Sequence, residues 1–376
     1  QETPGKTLNA VFLGTITGSW GPSASYAFLF ITLVSEAAIL FVAAQAGFFG
    51  GPRVLANMAL DRWFPSKFAM LSDRLVTQNG VLLMGGTALV TLILTRGAVA
   101  YLIVLYSITV FITFVLATLG MVRYWWRMRG QDPRWKRGLA LNSLGLTLTS
   151  TILVAVSVIK FTEGGWITLL VTGALVTLAI MIRRHYNHTL KLLKRLDMLV
   201  PATEGAAGVA SPLKPNSVSD PVYYPEGKTA VVLVNGFNGL GLHTLFSIIR
   251  LFGDSFKNYV FVQVGIVDAG NFKGSDEIGH LEKYVQEELD RYVNFMKTQG
   301  KYAERFYVLG TDIVDEIHAL APKIQERFPN SVFFGGQIVF PEETLWSRWL
   351  HNYIVFAVQR KLYSRGIPFM VLPIRV

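Results

Sequence analysis

The chain has no cysteine among its 376 residues. Disulfides, thiolate metal centres and cysteine nucleophiles are therefore excluded. Charge is scarce as well: 16% of residues are Asp, Glu, Lys or Arg, against roughly 25% in an ordinary soluble domain. Hydrophobic residues make up 51%, and the mean hydropathy is +0.40. Acidic residues are rarest in the first half. Residues 1–200 carry 18 Lys/Arg against 7 Asp/Glu, whereas residues 201–376 carry 17 against 18, so the net +10 comes from the first half. A basic protein raises nucleic acid as a partner. Here the cations flank apolar runs, so a lipid bilayer explains them and no nucleic acid is expected. The chain begins with Gln1, shows no signal-peptide pattern there, and reads as a piece of a longer protein.

A helix needs about 20 apolar residues to cross a bilayer. Five stretches approach that length: 23–49, 80–95, 99–122, 139–159 and 166–182. The second and fifth are short, which flanking anchors can offset. Between the first two lie Arg53, Arg62, Lys67 and Arg74. Between the third and fourth lie Arg123, Arg127, Arg129, Arg134, Lys136 and Arg137. After the fifth come Arg183, Arg184, Lys191, Lys194 and Arg195, while the alternate loops hold only Arg96 and Lys160. Basic loops stay inside, so this pattern places the C-terminal half in the cytoplasm and the N-terminal segment outside. Gly50-Gly51-Pro52 is expected to end the first span, because Gly is flexible and Pro cannot continue a helix. Residues 53–68 then form a short interfacial helix, with Val54, Leu55, Met58, Trp63 and Phe64 as its apolar contacts.

Polar residues inside the spans are the transport-path candidates. Glu36 sits near the middle of the first, where a carboxylate is costly and marks a functional site by default. It carries a proton, offers charge to a cation, or serves as a structural acid bonded to a neighbouring helix. Ser25, Thr32, Glu36, Ala43 and Gly47 share its helical face. The third span bears Tyr106, Thr109, Thr113, Ala117 and Gly120 on one stripe. Such hydroxyls coordinate a dehydrated cation, bind a zwitterion, or join helices. Ser143, Thr147, Ser150 and Thr151 repeat the theme in the fourth span and read as packing.

Residues 183–227 read as a basic helical tail and a Pro/Gly/Ala/Ser-rich linker. Beyond them, short β-branched runs such as "TAVVLVN" and "SVFFGGQIVF" alternate with amphipathic helical segments. That alternation predicts an α/β domain over 228–376, a five-stranded parallel sheet with helices on both faces. Ligands of such sheets bind beyond the carboxyl ends of the strands. Gly236, Gly239 and Gly241 follow the first strand and precede a helix, so their backbone amides are candidates to cradle a phosphate. Asp268 closes the second strand, to hold a ribose hydroxyl or to shape a turn. The glycine spacing is neither a P-loop nor a dinucleotide fingerprint. His243, His280 and His318 are scattered without metal-ligand spacing, and no nucleophile–base constellation stands out. Neither a metal site nor an enzyme is expected.

The segment "FVAAQAGFFGGPRVLANMALDRWFPSKFAMLSDRLVTQNGVLLMG" resembles the one after the eighth core helix of amino acid–polyamine–organocation permeases. Asp61, Pro65 and Phe68 match that family's D-x-x-x-P-x-x-F pattern. "LYSITVFITFVLATLGMVRYWW" resembles the tenth helix of the KimA-like and KUP-like potassium branch, and "LWSRWLHNYIVFAVQRKLYSRGIPFMVLPIRV" is similar to the end of the cytoplasmic domain in such permeases. The resemblance implies a LeuT-type fold of inverted five-helix repeats with a midplane site. The five spans would be its eighth to twelfth helices, residues 23–182 a partial transporter core, and residues 1–22 an extracellular helical loop. It implies a proton-coupled permease for amino acids or potassium in the bacterial inner membrane, with Tyr106 beside the cation site and a homodimer formed through the last two spans or the soluble domain. Glu36 has no counterpart in the potassium proteins. The soluble domain resembles universal-stress-protein-like domains, some of which bind a cyclic dinucleotide; the glycine spacing of their ATP-binding members is absent. The rival reading is a membrane-tethered ligand sensor without transport.

Overall fold

Apolar solvent offers backbone groups no partners, so a long apolar run must pair them within its own segment, as a helix does. The computed structural model describes residues 8–201, 203, 221–272, 275–340 and 354–375. The first part is helical, and its described elements include α1 (Leu8–Ile16), α2 (Pro22–Leu60), α3 (Gln78–Leu94), α4 (Val99–Arg127), α5 (Trp135–Ile159) and α6 (Trp166–Leu196). Of these, α2, α4, α5 and α6 are long and apolar enough to cross a membrane, whereas α3 has only 17 residues. α4 and α5 form a closely packed hairpin, α6 leans on α4, and α2 packs on α3. The basic tail after residue 182 is no separate element, because α6 carries straight through to Leu196.

The expected stop at Gly50-Gly51-Pro52 is absent. α2 runs unbroken across it, with Pro52 inside the helix and buried. An interior proline loses one helical hydrogen bond and usually kinks or breaks the helix. Here contact with α3 offsets that loss. A Cβ on Gly80 would lie 2.9 Å from Pro52 Cβ, and Met84 fills the space above Gly51. Small residues on both sides let the two helices approach closely. The expected interfacial helix over 53–68 is therefore replaced. Residues 53–60 are the last turns of α2, Arg62 turns the chain at φ 64°, and Ser66–Phe68 is a single 3₁₀ turn.

The second part is the expected α/β unit. Strands β1 (Lys228–Leu233), β2 (Phe256–Ile266), β3 (Tyr302–Gly310), β4 (Ser331–Val339) and β5 (Phe369–Arg375) are all parallel, in the order β3-β2-β1-β4-β5. Between them come α7 (Gly239–Phe252), α8 (Ser275–Thr298), α9 (Ile313–Arg327) and α10 (Ile354–Tyr363). Both faces are covered, which explains the near-continuous apolar strands. Ala230 and Val232 pack with Leu245 of α7 and Tyr292 of α8. Val231 packs with Ile324 of α9 and Leu362 of α10 on the opposite side. Strand order reverses between β1 and β4, which opens a crevice at their carboxyl ends. Linker residues 204–220 and the first half of the last expected helix, through residue 353, lie outside the described residues.

Candidate functional site

The transport-path candidates fall on two separate packing groups. Glu36 lies 14 residues into α2, about 21 Å along the helix. Its Oε1 accepts a hydrogen bond of 2.6 Å from Asn9 Nδ2, on α1. On α4, the Tyr106 side chain is 70% exposed. Thr109 Oγ1 donates to the Leu105 carbonyl at 2.7 Å, and Thr113 Oγ1 to the Thr109 carbonyl at 3.0 Å. Both hydroxyl protons are thus spent on the helix itself, leaving oxygen lone pairs to face outward. No hydrogen bond among the described residues joins Glu36 to Tyr106, Thr109 or Thr113. The three α4 residues share one stripe, with Tyr106 and Thr113 exposed and Thr109 half-buried.

The glycine loop after β1 is engaged by the chain's own groups. Glu288 of α8 accepts from the Phe237 amide, and Asp197, just past α6, accepts from the Gly239 amide at 2.9 Å. Asn238 Oδ1 caps α7 by accepting from the Gly241 amide at 3.0 Å. The Tyr292 hydroxyl donates to the Gly236 carbonyl at 3.1 Å. Burial pushes the Tyr292 pKa up, so it stays a neutral donor. Gly236 has φ 83°, which suits glycine. Gly239 lies directly against the Leu196–Asp197 backbone, and Gly241 against the Tyr292 hydroxyl. Two carboxylates therefore hold the positions that a phosphate would take at this helix N-terminus.

Asp268 shapes a turn. Its Oδ1 accepts from the amides of Gly270 and Asn271, each at 2.9 Å. The turn also meets the connection between α2 and α3. The Ala269 amide donates to the Ala69 carbonyl at 3.0 Å, and Met70 bridges to Asp268. Thr311 Oγ1 donates to Asp73 Oδ1 at 3.5 Å. Behind this contact, the Arg183 guanidinium of α6 lies 4.1 Å from the Trp63 ring centroid. The Ser66 amide donates to the Tyr186 hydroxyl at 3.3 Å. Among the described residues, the sheet domain is thus tied to the helical part at the Asp197 cap and along the α2–α3 connection, through the Ala69–Asp268 and Asp73–Thr311 contacts. The residues that make these ties escape a pattern reading. The one available signal is Asp197 as an acid in the basic run "KLLKRLDMLV".

A cleft of about 620 Å³ opens at the crevice between β1 and β4. Its described lining is apolar apart from amide and hydroxyl groups of Asn235, Asn238, Thr244 and Gln337, and carries no charged side chain. Gly241 is on its wall; Gly236, Gly239 and Asp268 are not. Among the described residues no group of three or more His, Cys, Asp or Glu is placed to hold a metal.

Over 160 residues the chain is 33% identical to "Potassium transporter KimA" of Bacillus subtilis (strain 168). The alignment covers 42% of this chain and 26% of that protein. The chain thus spans about a quarter of the length of the curated relative it matches. No protein-family model matches it. The similarity and the apolar helices together mark a membrane protein related to a transporter.

Proposed function

We propose that this protein moves potassium across the bacterial inner membrane, coupled to protons, and that residues 228–376 regulate it from the cytoplasm. The similarity to a potassium transporter carries this reading. Four long apolar helices and the outward lone pairs of Thr109 and Thr113 support it. In this reading α4 borders the ion path with Tyr106, Thr109 and Thr113, and Glu36 is the membrane-embedded acid that carries the proton. The first three spans belong to the second half of an inverted repeat and the last two lie outside it, and transport proceeds by rocking of a bundle against a scaffold. Amino acids, the default cargo of the wider superfamily, gain no support from the potassium-transporting relative.

The ties between helices and sheet domain give regulation a route. A ligand seated in the β1–β4 cleft would bear on Asn238 and Gly241, and so on the Asp197 cap beside them. For a cyclic dinucleotide, the uncharged side chains of the described lining suit a base, while Asp197 and Glu288 oppose a phosphate at the loop amides. Equilibrium dialysis of the purified protein with a labelled cyclic dinucleotide tests this, and the absence of saturable binding discards it.

The transport reading is tested by rubidium uptake into bacteria lacking their own potassium uptake systems, with and without a proton gradient. Gradient-dependent uptake that falls at least tenfold in Tyr106→Phe or Glu36→Gln at equal expression is the expected result. Uptake of labelled amino acids without rubidium would replace the cargo. Uptake of neither would leave the tethered sensor.

A further inference from the structure

The connection between α4 and α5 has no part in the transport reading. Together with the helix ends that flank it, it carries Arg123, Arg127, Arg129, Arg134, Lys136 and Arg137 against a single acid, Asp132. All six cations are exposed. None forms an ion pair among the described residues. Asp132 is directed elsewhere: its Oδ1 accepts from the Arg134 amide at 2.8 Å.

Aromatic rings are interleaved with these charges. Trp126 is 59% exposed and Tyr124 49%. The Arg129 guanidinium lies 5.4 Å from the Trp126 ring, and Lys136 Nζ 5.8 Å from the Trp135 ring. Trp125 turns inward instead, onto Gly138. Exposed Trp and Tyr at the end of a spanning helix sit at headgroup depth. Cations stacked on those rings are held at the same depth.

The other basic clusters lie on segments docked within the chain: Arg183 covers Trp63, the end of α6 is tied to α7 through Asp197, and the α2–α3 connection bonds to the turn after β2. No hydrogen bond or ion pair among the described residues joins the α4–α5 connection to the sheet domain. Its counter-charge must come from outside the described chain. Guanidinium groups recognise phosphodiesters by paired N–H donors, and rings at the membrane surface favour a lipid over a soluble polyanion.

We propose that the α4–α5 connection is a binding surface for anionic phospholipid headgroups, in the leaflet on the sheet-domain side. The inference requires that α4 and α5 cross the membrane, and it is independent of the cargo.

The test is a titration of the purified protein in neutral detergent with phosphatidylglycerol or phosphatidylcholine, followed by native mass spectrometry. The wild type should retain phosphatidylglycerol at least about tenfold better, because each cation near the surface adds to the attraction. The variant R127Q/R129Q/R134Q/K136Q should fall to within about twofold of phosphatidylcholine. The variant R183Q/R184Q/K191Q/K194Q loses the same charge from the α6 tail and should keep the preference. Equal binding of the two lipids by the wild type, retention by the first variant, or equal loss in both variants would each overturn the proposal. An independent readout leaves the cations intact. Brominated phosphatidylglycerol should quench tryptophan fluorescence more than brominated phosphatidylcholine, and W126F/W135F should lose the excess. Unchanged excess in that variant would also overturn it.

Discussion

Gly239 opens α7 where the α6 tail meets the sheet domain. Replacing it with Ala places a methyl group against the Leu196 carbonyl group and the Asp197 amide, backbone that cannot swing aside. In a helix with nothing docked on it the same change helps by about 0.5–1 kcal/mol, since Ala has less backbone freedom to lose than Gly. In this fold the tail must retreat. The Asp197–Gly239 hydrogen bond goes with it, as does the burial of Leu196. A charge-assisted bond at a partly exposed helix N-terminus contributes about 1–2 kcal/mol, and the overpacking adds about 1–3 kcal/mol if the tail resists. Gly239→Ala should therefore destabilise the docked state by about 1–3 kcal/mol, opposite in sign to the helix-propensity effect. Hydrogen exchange on the solubilised protein reads this directly. Amides around residues 193–200 and 239–245 should exchange about 5–30-fold faster for a loss of 1–2 kcal/mol. Asp197→Ala should produce a similar change alone and add little to Gly239→Ala, because both remove one contact. A more stable protein with unchanged exchange in the α6 tail would refute the docking.

Other perturbations probe different links. Burial, followed by the charges of Asp315, Asp312 and Asp73, raises the Glu316 pKa above its ordinary value. The folded protein then holds that proton more tightly than the unfolded chain, so the contribution to stability is present at low pH and is lost as pH rises through the folded pKa. Glu316→Gln should accordingly raise the melting temperature over wild type at pH 8 but not at pH 4; a pH-independent difference would contradict this. Tyr292→Phe should cost about 1–2 kcal/mol in urea unfolding, because it strips a buried partner from the Gly236 carbonyl; an unchanged midpoint would show that the bond is dispensable. Gly80→Val should force α3 away from Pro52 and lower the yield of monodisperse protein on size exclusion, and an unaffected profile would remove that contact from the fold.

The apolar runs and the strand–helix alternation were legible because both are local. A residue's place on a helical face or in a parallel strand depends on neighbours a few positions away. The four long helices, all five strands and the shared stripe of Tyr106, Thr109 and Thr113 follow from that. Glu36 was legible as an acid inside a long apolar helix, but its partner Asn9 is 27 positions away and leaves no local trace. The glycines after β1 were legible as positions needing a bare backbone. What approaches them was not, since Leu196, Glu288 and Tyr292 come from distant helices.

By itself, then, the sequence determined where this chain must be helical in lipid and where it must build a two-faced sheet, through the cost of exposing apolar side chains or unpaired backbone groups. Tertiary structure alone decided that α2 passes through Pro52, because the local cost of a proline was outweighed by contact with Gly80 and Met84. It also decided that the sheet reverses between β1 and β4, and that Asp73 meets Thr311 across 238 positions. Such contacts depend on which surfaces meet after the elements form, and periodicity holds no record of that.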